Sequence, residues 1–132
     1  MIPPSPARMT VALVRLPTLT RAAFQAYWLE RHAPLVTSLA GALGILKYVQ
    51  LHSEPEDSWA VARSPSPWSS PYDGLAQVWY ASREAFEATM AEPAAREAAR
   101  LLRNDEGLFI DREHTRRWWG VEHTIALAQR SS

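Results

Sequence analysis

A small set of side chains in this sequence could move a proton beside an apolar surface. His32 stands near the end of the stretch FQAYWLERHAPL, four residues after Trp28 and eight after Phe24. Those three positions share one stripe of any helix formed there, and an aromatic stripe of that kind faces a core. Pro34 follows, removing an amide hydrogen and crowding the turn before it, so the ring of His32 is expected where the helix bends or ends. Such a place suits a hydrogen-bonded core histidine and equally a general acid or base, because imidazole titrates near neutrality.

A second group lies in ILKYVQLH, where alternation sends Tyr48, Gln50 and His52 to one side and Val49 and Leu51 to the other. His52 could serve as a second acid or base. Tyr48 could donate a hydrogen bond to a carbonyl or phenolate oxygen, and Gln50 could orient a ligand. The bland alternative is the polar end of a sheet face. Gln77 and Trp79 share a face of YDGLAQVWY. Together with Trp28, and with Trp59 and Trp68 from a proline-rich loop, they supply polar and flat apolar surface for an aromatic ligand. The same rings would suit a subunit interface. Arg15 reads as pointing to solvent or into a cavity.

Several chemistries find no support. There is no cysteine, hence no thiolate nucleophile and no disulfide. The histidines at 32, 52, 114 and 123 form neither HxxxH nor HExxH, so no metal is expected. No glycine-rich nucleotide loop occurs, and no cofactor is expected. Lys+Arg and Asp+Glu are both 14; that balance argues against a nucleic-acid partner. The opening MIPPSPARM has no apolar run, and no segment nears the ~20 apolar residues that span a bilayer. The expectation is a cytoplasmic protein without membrane contact.

The elements that must position these groups follow from pattern. Residues 10–16 read as a strand, and Thr20 as the N-cap of a helix reaching about His32. A further helical piece runs from Pro34 towards Leu39. Strands are expected at 45–52 and 72–80, with a long loop at 53–71 covering a pocket mouth. Ser82 caps a helix bearing Phe86 and Met90, Pro93 breaks it, and a second segment runs to about Arg103. Residues 104–111 read as a turn and an anchor, and residues 115–127 as the last strand. This places one domain at 10–127 between tails at 1–9 and 128–132.

The order is βαββαβ, the α+β ferredoxin-like arrangement of a four-stranded antiparallel sheet with two helices on one face. Its open face, with Tyr48, Trp79 and Trp118, would be an apolar patch in a monomer. Two sheets face to face would cover it, giving a homodimer and a dimeric α/β barrel with an internal cavity.

The blocks FQAYWLERHAPL, LKYVQLH, YDGLAQVWYASREAFEA and NDEGLFID, with the later VEHTI, resemble the EthD family over residues 9–125. The resemblance implies a ferredoxin-like fold and a dimer with a pocket in each half. Related barrels include polyketide cyclases and dehydratases, lactone isomerases and cofactor-independent oxygenases. It carries the family's helix-end histidine to His32, its strand motif to Tyr48, Gln50 and His52, and its Asp-Gly turn to Asp73 and Gly74. Gln77 stands where the family often has an acid. The function so implied is general acid–base catalysis on a hydrophobic, aromatic or polyketide-like small molecule, as a dehydratase, cyclase or isomerase. The alternatives are a cofactor-independent oxygenase in the same fold, or a ligand-binding accessory protein for an oxidoreductase system.

Overall fold

In the computed structural model, which describes residues 6–55 and 70–129, four strands pair into one antiparallel sheet. They are β1 (Ala7–Leu13), β2 (Lys47–His52), β3 (Gly74–Tyr80) and β4 (Arg116–Gly120), in the spatial order β2-β3-β1-β4. This is the ferredoxin-like topology. The register aligns Lys47 with Trp79 and Trp79 with Arg8, and then Val49 with Gln77 and Gln77 with Thr10. Alternation therefore gives the sheet two chemically distinct faces.

One face packs under the helices. α1 (Arg21–Tyr27) starts at Thr20, whose hydroxyl accepts from the Ala23 amide. It passes through a π-helical turn (Trp28–His32) into α2 (Ala33–Leu43). The chain thus does not break at Pro34, as the sequence suggested. A proline at 34 has no amide hydrogen for the carbonyl four residues back and crowds it; a widened turn relieves both. The Ala33 amide reaches back to the Trp28 carbonyl, five residues away. α2 ends at Gly44, whose positive φ of 72° closes the helix as few other residues would.

α3 (Arg83–Met90) is capped by Ser82, and α4 (Pro93–Glu106) begins at the expected proline but runs three residues past Arg103. The core is Leu13, Phe24, Trp28, Ala76, Phe109 and Ile110. No helix among the described residues is long and apolar enough to cross a membrane.

Two boundaries differ from expectation. β1 starts at Ala7, inside the stretch read as a tail. The last strand stops at Gly120 rather than continuing to Leu127. Its register with β1 ends at the Arg8–Gly120 pair, one residue from the start of β1 at Ala7. Residues 121–129 carry no strand pairing, and Val121, Ile125 and Leu127 are exposed.

Candidate active site

Between the helices and the sheet face beneath them lies a cavity of about 270 Å³. This cavity lies within one chain. Ala76 on β3 and Ala99 on α4 help to line it, and such short side chains leave space unfilled. Most of the lining is aliphatic. His32, Tyr48, Tyr80, Arg103, Glu106 and Arg117 supply its polar atoms.

His32 is only 5% exposed, and the ring of Phe109 packs 4.9 Å from it. Its Nδ1 lies 2.7 Å from Asp105 Oδ2, and Tyr27 donates its hydroxyl to the other carboxylate oxygen at 2.6 Å. An ionised carboxylate only accepts, so Nδ1 carries a proton, and in the neutral ring the lone pair is on Nε2. Nε2 has no hydrogen-bond partner among the described residues, where no fully buried side-chain nitrogen or oxygen lacks one. It is therefore the open atom of a residue on the cavity wall. The bond to Asp105 pushes the Tyr27 phenol above its usual pKa, so Tyr27 stays a donor.

The π turn also builds the second group. The Trp28 carbonyl accepts from Gln50 Nε2 at 2.9 Å, and the same amide nitrogen donates to the Tyr48 hydroxyl at 2.9 Å. Those acceptors fix the amide orientation, so Gln50 Oε1 faces His52 Nε2 at 2.7 Å and His52 is the donor. The His52 ring stacks on Trp28 with centroids 4.4 Å apart. Burial lowers the His52 pKa and raises that of Tyr48. Tyr48 accepts from Gln50, and its own hydroxyl hydrogen has no acceptor among the described residues.

The sequence candidates thus separate. His32, Trp28 and Tyr48 line the cavity. Gln50 and His52 border a shallower groove outside it, shared with Tyr48, Leu29 and Ala33. Tyr48 does not share the open face with Trp79; it packs on the helix side. Gln77 and Trp79 face the opposite side of the sheet by register, where Arg8 and Lys47 cover the Trp79 ring at 5.1 and 4.8 Å. Trp59, Trp68 and the bulk of the loop expected to cover the pocket lie outside the described residues.

Arg15 points neither to the cavity nor freely to solvent. It clasps Asp73 through Nη1 at 2.5 Å, and the Arg15 amide donates to the same carboxylate at 2.9 Å. Asp105, Tyr27, Arg103, Glu106 and Arg117 were not among the sequence candidates. A signal for Asp105 existed: Ala95, Ala98, Leu102, Asp105 and Phe109 follow a helical period. No group of three or more possible metal ligands occurs among the described residues.

A family model described as the EthD domain matches residues 16–113. No protein in the curated set matches the sequence. Among solved structures, an ethyl tert-butyl ether degradation (EthD) family protein from Bacillus halodurans aligns with TM-score 0.59 at 16% identity, over 89% of this chain and 99% of its own. A dimeric ferredoxin-like protein of unknown function from Thermobifida fusca aligns with TM-score 0.54 at 12% identity, over 92% and 95%. A DABB family protein with a ferredoxin-like fold from Mesorhizobium loti aligns with TM-score 0.52 at 13% identity, over 91% and 99%. At these identities the structural likenesses speak for the fold.

Proposed function

The chain belongs to the EthD domain family, and we propose that it is an enzyme that transfers protons on a hydrophobic small molecule held beneath its helices. The observation that carries this reading is the His32–Asp105 pair, with Nδ1 held and Nε2 open on the wall of a largely aliphatic cavity. Nε2 takes a proton from carbon beside a ligand carbonyl. Tyr48 donates its hydroxyl hydrogen to that carbonyl oxygen as charge develops there. Asp105 stabilises the imidazolium so formed. The proton then returns to a β-hydroxyl, which departs as water, or to another carbon, which isomerises the ligand. A cavity of about 150 Å³ takes one benzene ring, so the 270 Å³ here suits one or two fused rings.

The unit that acts is a homodimer joined through the open sheet face. Trp118 and Leu51, exposed on its two edge strands, support that assembly, since large apolar side chains left bare on a sheet face suit an interaction site.

The test is exchange and dehydration of bicyclic aryl β-hydroxyketones in heavy water, with dioxygen followed in parallel. Deuterium entering beside the carbonyl, or loss of water, that disappears in His32→Ala is the expected result. Exchange as fast in His32→Ala as in the wild type would remove His32 from the mechanism. Dioxygen consumption would redirect the same base to making a carbanion that oxygen traps.

A further inference from the structure

We infer that the ligand carries an acidic group, a carboxylate or an acidic phenol, which Arg103 and Arg117 take at the rim of the cavity. The inference rests on the cavity being the ligand site, as proposed above. Arg103 and Glu106 are one turn apart on α4, and both line the cavity. Arg117 reaches the same rim from β4, where its register partner Val11 is another lining residue. These are the three charged side chains on the wall of the cavity, besides His32.

The cluster is short of anions. The Arg103 side chain has no hydrogen-bond or ion-pair partner among the described residues. Arg117 stands 4.0 Å from Glu106, too far for a hydrogen bond, and Glu106 has no other cationic partner there. Asp105, the next carboxylate along α4, is already engaged by His32 and Tyr27. Two guanidiniums and one carboxylate thus line this cavity, leaving one positive charge and most of the N–H groups available. Burial pushes the Tyr80 phenol up to about 12, and the positive charge of Arg117 opposes that rise, so its field reaches the cavity wall.

The placement suits an amphipathic acid. An anion deep in the aliphatic part would lose its hydration without return. At the rim the guanidiniums remain partly in water and offer a planar fork that matches a carboxylate. The ring body then lies inward, towards His32 and Tyr48.

The probes are 2-naphthoate and its neutral counterpart 2-naphthalenemethanol, with binding followed by calorimetry at neutral pH. Naphthoate is expected to bind about tenfold more tightly than the alcohol, the scale of a hydrogen bond to a charged group. Raising the salt concentration should weaken naphthoate alone. Arg103→Gln and Arg117→Gln should each weaken naphthoate and leave the alcohol unchanged, with melting curves confirming the fold. Ala99→Phe, which fills the cavity, should abolish binding of both. Equal affinity for the two probes, or naphthoate binding insensitive to both arginine substitutions, overturns the anion site while leaving the cavity reading intact. If neither probe binds the wild type, or Ala99→Phe leaves binding unaffected, the cavity reading falls and this inference falls with it.

Discussion

Asp105 does for His32 what no cavity-lining residue does: it decides which ring nitrogen carries the proton. Asp105→Asn preserves shape but can present an amide N–H to Nδ1, moving the ring proton to Nε2. Turnover should fall by about 10²–10⁴-fold, the range for losing a general base. The ¹⁵N shifts of the His32 ring should report the changed tautomer, and unchanged shifts would remove the positioning role from Asp105. His52 makes a different prediction. Burial holds its pKa below the usual 6.5, so the unfolded chain takes up a proton before the folded one does. That part of the stability is present above the unfolded-state pKa and is lost as pH falls towards and through the folded-state value. His52→Phe keeps a ring against Trp28 and removes the titration. The variant should lose less melting temperature than the wild type between about pH 7.5 and about pH 5; equal losses would show that His52 does not contribute.

Among the elements, the π turn joins the two groups of the site, because its Trp28 carbonyl anchors the Gln50 amide that holds Tyr48. The same tryptophan explains the glycine of the Asp-Gly turn. A Cβ on Gly74 would stand 2.5 Å from the Trp28 ring. Gly74→Ala should therefore destabilise the protein by about 1–3 kcal/mol, the usual cost of overpacking, as read from urea unfolding. A neutral result would mean that the ring moves aside freely.

Much of this level was legible in the sequence. Thr20 and Ser82 announce their helices because hydroxyl caps are local chemistry, and the stripe of Phe24, Trp28 and His32 is buried as its spacing demands. The π turn was not legible. Pro34 signals a disturbance, but whether the chain breaks or widens depends on packing against β2 and β3. Asp105 was missed because Asn-Asp-Glu-Gly has the composition of a turn, while Phe109 and the His32 partnership keep the helix going to Glu106. Which sheet face lies under the helices was also undetermined, because Tyr48 and Trp79 both sit in strands that alternate equally well either way.

For the whole molecule, the open sheet face is the one assigned to the proposed assembly. Trp79 is already covered by Arg8 and Lys47, but Trp118 is 49% and Leu51 62% exposed. Either Leu51→Glu or Trp118→Glu should convert the proposed homodimer to a monomer in light scattering while leaving probe binding in the cavity intact. A wild-type monomer at micromolar concentration would refute the assembly. Because β2 alternates, Tyr48, Gln50 and His52 belong to the site side while Lys47, Val49 and Leu51 belong to the opposite side. Inheritance can act on these two sets separately. On the proposed site and assembly, a lineage can exchange residues at 48, 50 and 52 to acquire a new ligand without revising how its copies assemble, or redesign its assembly at 47, 49 and 51 without losing its ligand. A mutational library confined to one set of alternate positions should therefore yield variation in one trait alone.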